Sequence, residues 1–198
     1  MKRFQAASVL AMCAGLAVSG AMAQNAPRST SDSVRGHFIS VNRRVLEMAK
    51  DFPEDKYDFR LKPEMRSFSA VIVHIASGNV YAAKAGRGEN VSWDELDPKN
   101  YKTKAEVVAL IEKSIADANA TLKTVPDASF AKSVEPWLEV TEHTAEHYGL
   151  LVAYYRATGL VPPASRLSKY QLRPGHPLIF EGFLCRVTGS ALLNAPWG

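Results

Sequence analysis

The stretch His143-Thr-Ala-Glu-His147-Tyr-Gly149-Leu-Leu-Val-Ala-Tyr154-Tyr-Arg156-Ala-Thr-Gly159-Leu-Val-Pro162-Pro163 carries the end of a helix and two histidines on one of its faces. The apolar stripe is Val140, Leu150, Leu151 and Tyr154, and His143 and His147 lie in its line. Gly159 and Pro162-Pro163 are stop signals and Pro136 suits a first turn, so the spacing predicts a helix from about Val134 to Thr158. Residues four apart on a helix stand about 6 Å apart on one side, so imidazoles at 143 and 147 can address a single ion.

Three further helices precede this one. Thr103-Lys104-Ala105-Glu106 is a capping box, and Val107, Leu110, Ile111, Ser114, Ile115, Ala118 and Leu122 keep core spacing from there to about Thr124. A helix from about Ser33 to Asp51 places Phe38, Val41, Val45, Met48 and Ala49 on one stripe, and Phe52-Pro53 ends it. Between them, about Glu64 to Ala85 is apolar nearly all round, with Pro63 placed for a first turn and Gly86 and Gly88 as terminators. A long polar connection through Trp93 and Pro98 follows. No strand-period run competes, so the expected fold is all-α, a four-helix bundle over residues 33–164.

The ends of the chain read differently. Residues 1–23 begin with Lys2 and Arg3, continue as a short apolar run and finish on Ala21-Met22-Ala23, the pattern of a cleaved secretory signal peptide. The mature chain is expected to start near Gln24, with 24–32 as a linker and a periplasmic or secreted destination. Cleavage removes two basic side chains and halves the net charge of +4, too weak a balance for nucleic acid to be the main partner. No later segment approaches 18 consecutive apolar residues, so no membrane span is expected. Cys13 leaves with the signal and Cys185 is then alone, which excludes an internal disulfide. Residues 165–198 have basic residues, prolines and glycines without a sustained period and read as an irregular tail.

His74 sits in the middle of the most apolar helix, between Val73 and Ile75. Burying three imidazoles without partners would cost on the order of a few kcal/mol each, whereas a shared cation satisfies one nitrogen on each. His74, His143 and His147 are therefore the expected ligands of a divalent metal. Imidazole donors favour zinc or nickel, with iron or manganese as alternatives, and three protein ligands leave a coordination position open.

His74 together with the run from His143 to Pro163 resembles the DinB/YfiT-like superfamily over about Ser33 to Ser165. The resemblance implies a four-helix bundle, often homodimeric, with a metal held by one histidine of the second helix and the H-x-x-x-H pair of the fourth. Some relatives are thiol S-transferases using bacillithiol or mycothiol, some are described as metal-dependent hydrolases, and most have no established substrate. The export signal and the tail depart from that pattern and disfavour transfer from cytosolic thiols.

His143-Thr-Ala-Glu146-His147 also fits H-x-x-E-H, a protease signature that needs a further ligand. Glu181, the one acidic residue after His147, lies in the irregular tail and supports it poorly. Glu146 flanks the metal face and is the candidate catalytic base. Tyr81 and Tyr154, each seven residues beyond a histidine, and Asn42 at the border of the first apolar stripe are candidate pocket residues. The expected function is metal-dependent hydrolysis of an unknown small molecule. The alternatives are a non-catalytic metal-binding or stress-related bundle and, after it, thiol S-transfer.

Overall fold

The computed structural model describes residues 29–130 and 133–166, together with the backbone of 178–180 and 183–185. The expected signal peptide, most of the linker, Glu181 and much of the tail lie outside the described residues. Four long helices build the molecule: α1 (Thr30–Asp51), α2 (Phe68–Gly86), α3 (Lys104–Thr124) and α5 (Glu135–Ala157), with a single helical turn, α4 (Asp127–Phe130), before the last. Backbone at Leu178–Phe180 (β1) and Phe183–Cys185 (β2) forms an antiparallel ladder within the tail. Among the described residues no helix is long and apolar enough to cross a membrane.

Side-chain caps set the helix boundaries. Ser29 Oγ accepts from Asp32 N–H, so α1 starts three residues before the apolar stripe suggests. Thr103 and Glu106 close the capping box of α3 in both directions. The start of α2 differs from its expected place. Pro63 falls in a turn closed by Met65 N–H on Lys62 O, and the helix begins only at Phe68. Ser67 caps Ala70 N–H there, while Phe68 and Ser69 donate back to Phe59 O and Tyr57 O. Those bonds satisfy the orphan donors of a first turn, which fixes the start at 68 rather than 64.

The C-terminal ends of α2 and α5 share one geometry. Gly88 (φ 82°) and Gly159 (φ 76°) follow the last helical turns, and the next residues, Glu89 and Leu160, donate to Lys84 O and Tyr155 O. Gly86 has a different role from the stop signal expected of it. It is the last residue of α2, and a Cβ there would lie 2.3 Å from the Trp137 ring.

Two apolar clusters fill the bundle. One is centred on the Phe52–Phe68 stack (3.8 Å between centroids) with Tyr57, Val71, Ile75, Ile111, Tyr154 and Tyr155. The other joins Phe38, Ala82, Ala118, Leu122 and Val140 around Trp137. Between them runs a polar waist, where Asn79 Nδ2 donates to Asn42 Oδ1 at 2.9 Å and to Ser114 Oγ at 3.3 Å. Burial of these amides is tolerable because they bond one another.

The clusters also reveal the chain direction. Helices α1 and α5 run from the Trp137 cluster toward the Phe52 cluster, and α2 and α3 run the other way. Each of α1 and α2 packs against both α3 and α5, so α2 and α3 are parallel neighbours. Parallel neighbours need a connection that travels back along the bundle, about 30 Å for helices of this length. Residues 87–103 make that return.

Candidate metal centre

His74 projects from α2, and His143 and His147 project from the antiparallel neighbour α5. Their ring centroids are 4.7, 4.7 and 4.3 Å apart, and one nitrogen from each lies within 4.8 Å of the other two. His74 Nε2 and His143 Nε2 lie 3.0 Å apart. Ligand nitrogens around a tetrahedral zinc ion are about 3.3 Å apart, given zinc–nitrogen bonds of about 2.05 Å. The three imidazoles could hold a divalent ion, with one nitrogen pair already near that spacing and all three within 4.8 Å.

The return connection supplies what orients the first histidine. Glu95 Oε1 lies 3.0 Å from His74 Nδ1, and Arg66 Nη2 donates to both oxygens of Glu95 at 3.0 and 3.2 Å. A carboxylate on Nδ1 places the proton there and turns the lone pair of Nε2 toward the other two rings. Partial burial opposes ionisation of Glu95, but the hydrogen bond and charge of Arg66, with His74, hold its pKa below the usual carboxylate value.

Burial is the largest influence on all three imidazoles. It pushes His143 down to about 4, with the neighbouring histidines adding to the effect, and it lowers His74 and His147 against the opposing pull of Glu95. The rings are thus neutral at neutral pH, the form that binds metal. Among the described residues Nδ1 of His143 is buried without a hydrogen-bond partner.

Trp93 covers this side of the site. Its ring lies 4.7 Å from that of His143 and 5.3 Å from that of Tyr81. Gly78 makes the approach possible, since a Cβ at 78 would fall 2.5 Å from the indole and 3.3 Å from His143 Nδ1. Leu96 N–H donates to Ser77 Oγ at 3.0 Å and pins the connection to α2 just beyond the tryptophan. In front of the rings opens a groove of about 380 Å³ lined by His74, Trp93, Glu139, Glu142, His143 and Glu146.

The sequence-predicted residues separate into two groups. His74, His143 and His147 come together, and Glu146 is an exposed carboxylate on the wall of the same groove. Asn42, Tyr81 and Tyr154 do not line that groove. Asn42 is fully buried in the waist, bonded to Phe38 O and Asn79, because it points between the apolar clusters rather than toward α5. Tyr154 is buried among Phe59 and Phe68, and its hydroxyl donates to Arg66 O, so it reaches the site only through the Arg66–Glu95 pair. Tyr81 stands behind Trp93, where burial and the nearby Glu139 carboxylate raise its pKa.

Sequence reading passed over Trp93, Glu95, Arg66 and Gly78. One signal was present: Gly78 interrupts an apolar helix at a place where no turn needs it, the mark of a close approach by another group.

An all-helical bundle whose second and last helices join three histidines on one flank defines a histidine-rich bundle able to hold a metal ion. Residues 37–156 match the profile of the DinB superfamily, and the chain belongs to that superfamily. No curated protein matches the chain.

Proposed function

We propose that this chain is an exported enzyme that hydrolyses a small molecule at a divalent ion, zinc or nickel foremost, held by His74, His143 and His147. The observation that carries this reading is the convergence of three neutral imidazoles, one oriented by a carboxylate, beside an accessible groove. An ion in that position supplies Lewis acidity toward a substrate oxygen and lowers the pKa of water.

The remaining work falls to the chain itself. Glu95 and Arg66 hold His74 in one tautomer, while Trp93 screens His143 from solvent on one side. Glu146 receives the proton released by the nucleophile at its carboxylate oxygens, from the groove wall next to His147. Supporting export, residues 1–23 carry the charged start, apolar run and small-residue cleavage pattern of a signal peptide.

The test is metal analysis of protein purified from its native compartment, alongside His143→Ala, followed by ester, amide and lactone substrates with and without chelator. We expect stoichiometric metal in the wild type, its loss in the variant, and chelator-sensitive turnover of at least one substrate class. Stoichiometric metal without turnover on a broad panel would replace the enzyme with a metal-binding bundle. N-terminal sequencing of the exported protein is expected to start at Gln24, and a start at Met1 would remove the export proposal.

A further inference from the structure

The groove in front of the histidines has a charge pattern that metal binding does not use. Glu139, Glu142 and Glu146 line it, and among the described residues no lysine or arginine does. Among the described residues none of the three takes part in an ion pair. Carboxylates three and four apart on a helix repel one another, and here they do so in a chain that is basic overall. Arg66, the cation that acts on all three histidines, is committed to Glu95.

A second feature points to the same ligand chemistry. The Trp93 indole forms part of the groove wall, backed by Tyr81 at 33° and 5.3 Å and admitted by the missing Cβ of Gly78. Glu139 neighbours the Tyr81 hydroxyl, a neutral partner that leaves its charge in place, and an indole beside carboxylates without ion-pair partners is the pairing that recognises ammonium groups, through the negative face of the ring and through Coulomb attraction.

We propose that the substrate of this site carries a positive charge, an ammonium or quaternary ammonium group seated between Trp93 and the carboxylates of Glu139 and Glu142. The inference rests on the reading of the groove as the substrate side of a three-histidine metal site. Three carboxylates outweigh a doubly charged ion there, so the groove attracts cations and repels anions even when metal is bound.

Choline and its uncharged carbon isostere 3,3-dimethylbutan-1-ol have the same shape, and their affinities for zinc-loaded protein, measured by calorimetry, isolate the charge. Choline is expected to bind at least about tenfold more tightly. In Glu139→Gln/Glu142→Gln the ratio should fall below about threefold, with helicity and zinc stoichiometry unchanged. Trp93→Leu is expected to weaken choline more than the alcohol. Equal affinities in the wild type overturn the proposal. So does uptake of a second zinc ion that displaces choline and is lost in the double glutamine variant, since the rim would then be a metal site. The metal-free protein separates the two readings. Failure to take up zinc with the choline preference intact removes the metal site alone, whereas zinc uptake without a preference removes the charged substrate alone.

Discussion

Glu95 decides which nitrogen of His74 faces the other two rings, and it does so from a connection rather than from a helix. Removing a carboxylate of this kind typically costs a metal site 10- to 100-fold in affinity, about the expected loss for Glu95→Ala. Competition against a chromogenic zinc chelator measures it, and a change under about threefold would show that His74 needs no such partner. The same three rings make the metal-free protein sensitive to acid. Each has a folded pKa below its ordinary value, chiefly through burial. The unfolded chain therefore binds more protons than the folded chain over the intervening range, and stability falls as pH falls. The loss begins near the unfolded value of 6.5 and, for His143, continues to about 4. Urea midpoints of chelator-treated protein at pH 7, 5.5 and 4 should decline in that order, and His143→Gln should flatten the decline.

Within the helices, glycine separates space that is used from space that is not. Gly149 on α5 has no atom of the described residues within 4 Å of where a Cβ would stand, so Gly149→Ala is expected to stabilise the protein by roughly 0.5–1 kcal/mol in urea unfolding. Gly78 on α2 predicts the opposite, because its Cβ would collide with Trp93 and press on His143. Gly78→Ala should lift the connection, shift tryptophan emission to the red and weaken zinc binding, with helicity retained. Unchanged emission and affinity would mean that Trp93 has room to move. The contrast bears on what a sequence displays. Capping residues such as Thr103 and Glu106 act within four positions of one another, so their helix boundary is legible directly. Pro63 illustrates the limit: it is locally suited to a first turn, yet bonds from Phe68 and Ser69 to a distant part of the connection set the start of α2. Glu95 has no periodic neighbour at all, and only the path of the connection brings it to His74.

At the scale of the molecule, the histidine triad was legible because two ligands share one helix face and the third is conspicuous among apolar neighbours. The chain direction was not, since periodicity reports which face is buried and nothing about which helices run in parallel. That direction sends residues 87–103 back along the bundle, so the overall topology explains why a connection brings Trp93 to the groove wall and Glu95 to His74. The molecule's last described side chains form a clasp. Beyond α5, the turn Pro163–Ser165 packs on α1, and Arg166 bonds both oxygens of Asp51, to Oδ1 at 2.8 Å and to Oδ2 at 2.5 Å. The Arg166 hydrogen bond is the chief reason the Asp51 pKa is lowered, against partial burial, with Tyr155 also contributing. Both apolar clusters and all three histidines lie before this clasp. Truncation after Arg166 is therefore expected to leave zinc stoichiometry intact and change unfolding free energy by no more than about 0.5 kcal/mol. Adding Arg166→Ala to the truncated chain should cost at most about 1 kcal/mol, because the pair is partly exposed and solvent screens it. That contribution is present above the ordinary carboxylate pKa and disappears as pH falls through the lowered one, so the two truncated proteins should converge in acid. If truncation instead abolishes zinc uptake, residues after 166 belong to the functional unit and the clasp is not its boundary.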